Sequence, residues 1–149
     1  MSDARPRTLL VLGASGDLTG RLLLPALGQL LTVEPERRIV LVGSGAEELG
    51  PDQWRTKVRA AFDSADAHGP AVDDLLAATR HQRADVTTRE GMGSVLTGCE
   101  GPVAIYVALP PAVAAEQCWR IVQPVLDAWR AGSVPMAEYP AGSTGPADW

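Results

Sequence analysis

Near the N-terminus a buried-strand pattern, a glycine turn and an amphipathic helix pattern follow one another without a gap, and few folds accommodate that order. Thr8 to Leu12 is a continuous apolar run closed by Gly13, as expected for a strand covered on both faces within a parallel sheet. From Leu18 onward Leu22, Leu23, Ala26, Leu27, Leu30 and Leu31 recur at helical spacing, which predicts a helix with one broad apolar stripe. Pro25 is expected to bend or weaken that helix, because it lacks an N–H and its ring crowds the preceding turn.

Between strand and helix lies Gly13-Ala14-Ser15-Gly16-Asp17-Leu18-Thr19-Gly20. Glycines at such a junction let the chain turn tightly and bring backbone N–H groups against a pyrophosphate, whose charge is stabilised by the positive end of the helix dipole. The hydroxyls of Ser15 and Thr19 are candidate additional donors. Ala14 and Ser15 separate Gly13 from Gly16, so the spacing is not G-x-G-x-x-G. A competing reading has Gly13 and Gly16 serving the turn alone, with Asp17 as helix N-cap. The order of strand, turn and helix favours nucleotide binding.

The remaining pattern alternates strand and helix, the signature of an α/β fold with a Rossmann-like parallel sheet flanked by helices. A second strand is predicted at Arg38 to Val42, ended by Gly43. Asp52 is the expected N-cap of a helix from Gln53 to about Phe62, with Trp54, Val58, Ala61 and Phe62 on one face. A loop from Ser64 to Pro70, a helix from Ala71 to Arg80 and a short strand from Gln82 to Val86 follow. Thr88 to Leu96 reads as a helix interrupted by Gly91 and Gly93, and Val103 to Leu109 as a strand stopped by Pro110 and Pro111. A further helix is expected from Glu116 to Trp129, kinked or divided at Pro124, before a Pro/Gly-rich tail from Tyr139 to Trp149. The expected organisation is a dinucleotide-binding domain over residues 1–113 and a helix with tail over 114–149.

Composition narrows the partners. A chain of 149 residues with 46% hydrophobic and 21% charged side chains is expected to form one modest globular core. Its net charge of −5 argues against nucleic acid and anionic membrane surfaces. No apolar run reaches the roughly 18 residues of a membrane span, and the chain reads as cytoplasmic. Cys99 and Cys118 lack ligand spacing, and a buried free thiol is the expected state of each. His68 reads as a loop residue and His81 as a strand-edge residue, so no metal site is expected. Lys57 is the single lysine, hence the one candidate for any role that needs an amine.

Choice between NAD and NADP usually falls just after the second strand, where a carboxylate meets the ribose 2′-hydroxyl or an arginine meets a 2′-phosphate. Here the loop is Gly43-Ser44-Gly45-Ala46-Glu47-Glu48. Glu47 or Glu48 can accept from a ribose hydroxyl or simply be solvated. Ser44 with the Gly45 backbone can instead receive a phosphate, with Arg21, Arg37 or Arg38 supplying charge.

The run Gly13-Ala14-Ser15-Gly16-Asp17-Leu18, with Arg21 and Leu24-Pro25-Ala26-Leu27, resembles the first cofactor-binding turn and helix of the glucose-6-phosphate dehydrogenase family. Val42-Gly43, Ala84-Asp85-Val86-Thr87 and Tyr106-Val107-Ala108-Leu109-Pro110-Pro111 resemble that family's later strands in the same order. The resemblance implies a domain that binds NADP, less often NAD, in an enzyme of the pentose phosphate pathway. That enzyme takes a hydride from C1 of glucose 6-phosphate and yields 6-phosphogluconolactone. The cofactor residues it implies are Gly13, Ala14, Ser15, Gly16, Asp17, Leu18, Ser44, Leu109 and Pro110. Departures from the family form include Gly20 and Leu22 beside Arg21, where lysines often stand, and Ala46 where an arginine is usual.

Cys118-Trp119-Arg120-Ile121-Val122, Pro124-Val125-Leu126, Trp129 and Tyr139-Pro140-Ala141-Gly142-Ser143 with Gly145-Pro146 resemble the family's C-terminal segment. The intervening Glu-Lys-Pro segment and the Arg-Ile-Asp-His-Tyr segment that carries the base histidine have no counterpart here. The chain is therefore expected to be a truncated or internally deleted relative, inactive alone, with no catalytic residue assigned. The alternative is a non-catalytic remnant that binds a dinucleotide or associates with a homologue. A short-chain reductase would need Tyr-x-x-x-Lys, and Tyr106 is followed at that spacing by Pro110. A lone lobe exposes apolar surface, so a homo-oligomer or a poorly soluble chain is expected.

Overall fold

The computed structural model describes residues 5–108 and, beyond them, residues 123, 126, 127 and 130. The expected helix from Glu116 to Trp129, the tail, Cys118, Leu109 and Pro110 thus lie outside the described residues or almost wholly so.

Among the described residues four strands form one parallel sheet: β1 (Thr8–Leu12), β2 (Val40–Gly45), β3 (Arg80–Arg83) and β4 (Val103–Val107), in the order β3-β2-β1-β4. This is the Rossmann-like α/β architecture that the alternating pattern predicts. The helices are α1 (Leu24–Val33), α2 (Pro51–Ser64), α3 (Pro70–Ala78) and α4 (Arg89–Thr97). One sheet face, through Val11 and Leu41, packs against Leu24, Leu27 and Leu31 of α1, Trp54, Val58 and Phe62 of α2, and Val72 and Leu75 of α3. Leu10, Leu12 and Val42 on the other face pack against Met92, Val95 and Leu96 of α4. Coverage on both faces explains why β1 is apolar without alternation.

The first helix departs from the expected stripe. Thr19–Leu23 forms a π-helical turn before α1, and the Leu24 N–H reaches back to the Thr19 carbonyl. An α-helical turn would set the Pro25 ring against the carbonyl four residues earlier; widening the turn by one residue relieves that clash and places Pro25 at the start of α1. The extra residue rephases the helix. Thr19, Leu24, Leu27, Gly28 and Leu31 become the buried face, while Leu18 and Leu22 are exposed at 37% and 61%.

Gly43 does not end β2, which runs on to Gly45. A Cβ at Gly43 would lie 2.8 Å from the Trp54 ring and 2.9 Å from the Ala14 Cβ, so this glycine serves a close approach inside the strand. Helix α2 starts earlier than expected. Gly50 is its N-cap, Pro51 opens it, Asp52 sits in the first turn, and the Gln53 side chain accepts from the Gly50 N–H at 3.0 Å. Its buried face is the expected Trp54, Val58, Ala61 and Phe62.

Strand β3 occupies Arg80–Arg83 rather than Gln82 to Val86. Thr79 fixes the switch from α3: its hydroxyl accepts from Trp54 Nε1 at 2.9 Å and donates to the Leu41 carbonyl at 2.8 Å. Helix α4 is capped by Thr88, whose hydroxyl accepts from the Gly91 N–H at 3.0 Å. Gly91 is not a breaker, because a Cβ there would run into the Asp85 carbonyl.

Candidate functional site

Parallel strands gather the segments that follow them at one edge of the sheet, the usual ligand edge of such folds. The turn after β1 is built there from its own backbone. The Gly13 and Ala14 N–H groups donate to the Ser44 carbonyl at 2.9 and 3.2 Å, and the Gly16 N–H donates to the Gly13 carbonyl at 3.0 Å. Gly13 has φ +78°, a left-handed conformation that glycine adopts without strain. A Cβ at Gly16 would lie 3.1 Å from the Gly13 carbonyl and 3.6 Å from that of Ala108. Both glycines therefore have a geometric reason.

This arrangement divides the residues that sequence reasoning grouped together. Gly13, Ala14 and Gly16 shape the turn with their amides already bonded, and Ala14 is fully buried. Among the described residues none accepts from the Ser15 N–H, and Asp17 and Leu18 open the helix, where first-turn amides lack intrahelical partners. Asp17 and Leu18 are also exposed. The Thr19 hydroxyl is not available to a ligand: it is buried and donates to the Gly13 carbonyl at 3.3 Å. The Asp17 carboxylate pairs with Arg21 at 2.8 Å rather than capping the helix.

Ser44 supports the turn through its carbonyl. It is fully buried, and its hydroxyl has no partner among the described residues. Strand alternation puts it on the face of Val42 and, across the ladder, opposite Leu12. Beyond it Glu47 and Glu48 are exposed, and Glu48 pairs with Arg83 of β3 at 3.7 Å. Arg37 and Arg38 do not join the site. They precede β2, at the other end of the sheet, and pair with Glu34 at 2.8 Å and Asp74 at 3.1 Å.

The single lysine enters from α2. Lys57 Nζ donates to the Ser15 carbonyl at 2.8 Å and to the Gly16 carbonyl at 3.4 Å. Burial pulls its pKa below the ordinary lysine value, and the nearby carboxylates of Asp17 and Glu47 offset part of that effect. Sequence reasoning singled Lys57 out without giving it a place, and its uniqueness was the available signal. Arg83, which pairs with Glu48, carried no sequence signal for this site.

His81 stands within β3 rather than at the edge of a strand, with its ring 5.6 Å from that of Trp54 and its Nε2 buried without a partner among the described residues. Burial lowers its pKa. His68 is exposed, and its ring Nδ1 lies 2.9 Å from the Asp66 carbonyl. The Cys99 thiol is free, donates to the Val95 carbonyl at 3.3 Å and is pushed up in pKa by burial. Among the described residues no group of three or more His, Cys, Asp and Glu could hold a metal ion, and no helix is long and apolar enough to cross a membrane.

A cleft of about 740 Å³ opens at the opposite edge, lined by Arg7, Glu34, Arg37, Arg38, Asp74 and Glu100 among others. Four of these residues pair with one another, and the segments around it precede the strands. The glycine turn, at the carboxyl ends, is the better candidate.

Residues 10–140 match the protein family described as glucose-6-phosphate dehydrogenase, NAD binding domain. Among solved structures, the chain is similar to a glucose-6-phosphate 1-dehydrogenase from Mycobacterium avium, with a TM-score of 0.68 and 20% identity over 87% of this chain and 28% of that one. It is also similar to a glucose-6-phosphate dehydrogenase in complex with glucose 6-phosphate, with a TM-score of 0.64 and 20% identity over 84% of this chain and 29% of that one. At that identity the likeness is one of fold, and the chain spans less than a third of either enzyme's length. No curated protein matches in sequence.

Proposed function

The chain belongs to the glucose-6-phosphate dehydrogenase family through its NAD-binding domain, and from that premise we propose that its function is to bind NADP, with NAD as the alternative, at the turn after β1. The amides of Ser15, Asp17 and Leu18 receive the pyrophosphate. Gly13, Ala14, Gly16 and Ser44 hold those amides in place, and the helix dipole adds its partial charge. The carrying observation is the turn's internal bonding: three amides fix its shape, and the next ones open onto an exposed helix start. Gly16 keeps the turn tight, since a Cβ there would crowd the Gly13 carbonyl at 3.1 Å. The resemblance adds Leu109 and Pro110 to the proposed site, and residues 1–113 to the proposed domain.

A bound nicotinamide supplies a hydride acceptor; the rest of the family's reaction needs a base at the sugar C1 hydroxyl and a cationic pocket for the sugar phosphate. His68 and His81 are the two histidines; among the described residues one rests on its own loop and the other against Trp54. Oxidation of glucose 6-phosphate is proposed for the family's complete enzyme, and dinucleotide binding without turnover for this chain, in the cytoplasm. A crystal soaked with NADP⁺ tests the site. Phosphates against Ser15, Asp17 and Leu18 support it, whereas density elsewhere, or glucose-6-phosphate-dependent formation of NADPH by the purified chain, overturns part of the proposal.

A further inference from the structure

Resting on that reading of the turn, we propose that Lys57 is the positioning residue of the dinucleotide site, fixing the turn and aiming the phosphate-facing Asp17 amide from behind through the carbonyls of Ser15 and Gly16. A peptide unit is planar and trans, so its C=O and the following N–H point in opposite directions. The Ser15 carbonyl belongs to the same unit as the Gly16 N–H, and the Gly16 carbonyl to the same unit as the Asp17 N–H. Lys57 Nζ, 2.8 Å from the first oxygen and 3.4 Å from the second, therefore sets the direction of both amides. The first is turned inward to the Gly13 carbonyl at 3.0 Å. The second is turned away from the lysine, out of the helix start.

Charge acts in the same sense. An ammonium on the carbonyl side of a peptide polarises it and makes the N–H on the far side a stronger donor. A lysine placed for solubility extends its head into water, whereas this one turns inward from α2 to bind backbone 42 residues away in sequence. The carboxylates of Asp17 and Glu47 lie close enough to favour its charged form, and His81 lies close enough to feel it.

The pyrophosphate is common to NAD⁺ and NADP⁺, so a residue that orients its amides affects both equally, while a ligand of the 2′-phosphate affects NADP⁺ alone. Titration of the full chain and of Lys57→Met with each dinucleotide, alongside thermal melts, separates the two. The expected result is a loss of about tenfold in affinity, by the same factor for both, with most of it restored in Lys57→Arg. Lys57→Gln, which keeps a neutral donor, replaces the methionine variant if that fails to fold, and is expected to show a smaller but still equal loss. Unchanged affinity in a folded variant, or a loss confined to NADP⁺, overturns the proposal. A wild-type chain that binds neither dinucleotide overturns the functional reading beneath it.

Discussion

Lys57 on α2 and Ser15 in the turn after β1 are joined by a 2.8 Å hydrogen bond from Nζ to the carbonyl oxygen. On the other side of the same turn, the Ser44 carbonyl takes the amides of Gly13 and Ala14. The turn is thus clamped from a neighbouring strand and a neighbouring helix at once. Its shape depends on contacts made by three separate segments, not on its glycines alone.

Close packing of α2 on the sheet makes Gly43 intolerant of a side chain. Gly43→Ala brings a methyl against the Trp54 ring and Ala14, and a destabilisation of about 1–3 kcal/mol is expected in urea unfolding. Gly45→Ala, where a Cβ meets nothing within 4 Å, is the control. It is expected to gain up to about 1 kcal/mol through loss of freedom in the unfolded chain.

Thr79 bridges two buried groups, the Trp54 indole N–H and the Leu41 carbonyl. Thr79→Val keeps the shape and strands both. The expected loss is about 1–3 kcal/mol per stranded group, read from the same unfolding experiment. Thr79→Ser, which retains the hydroxyl, is expected to lose less.

Half-burial of His81 against Trp54 holds its pKa below the ordinary value of 6.5. A base with a depressed folded-state pKa binds fewer protons in the folded than in the unfolded chain. Its contribution is present above pH 6.5 and is lost as pH falls through the lowered value. Unfolding midpoints are expected to drop across that acid window in the wild type and to flatten in His81→Gln. Asp85 also titrates low, because Thr87 hydrogen-bonds its carboxylate, and its effect appears only in stronger acid.

Tyr106 and Val107 on β4, the outer strand among the described residues, are exposed at 37% and 42%. Apolar surface on a sheet edge favours self-association. Sedimentation is expected to give a mass above the 15.7 kDa of one chain, and a monodisperse monomer contradicts this.

Much of the fold was legible because local periodicity and burial agree. In β1 the apolar run is continuous and both faces are covered; in α2 the residues Trp54, Val58, Ala61 and Phe62 recur at helical spacing and are all buried. Periodicity failed after Leu18, where the π-helical turn before Pro25 adds a residue and moves Leu18 and Leu22 off the buried face. Glycine misled at Gly43 and Gly91, since a side chain is excluded there by a tertiary or cross-loop neighbour that local pattern does not reveal. The site was legible as a strand, turn and helix. Its division into amides that shape the turn and amides that face outward was not, because it depends on Ser44 and Lys57, both distant in sequence.

Isothermal titration of the purified chain with NADP⁺ and NAD⁺ is the most direct measurement of whether this domain holds a dinucleotide. Saturable binding of one ligand per chain, accompanied by a rise in melting temperature, is the predicted result. No heat and no thermal stabilisation from either ligand would contradict dinucleotide binding by the turn between Leu12 and Leu18.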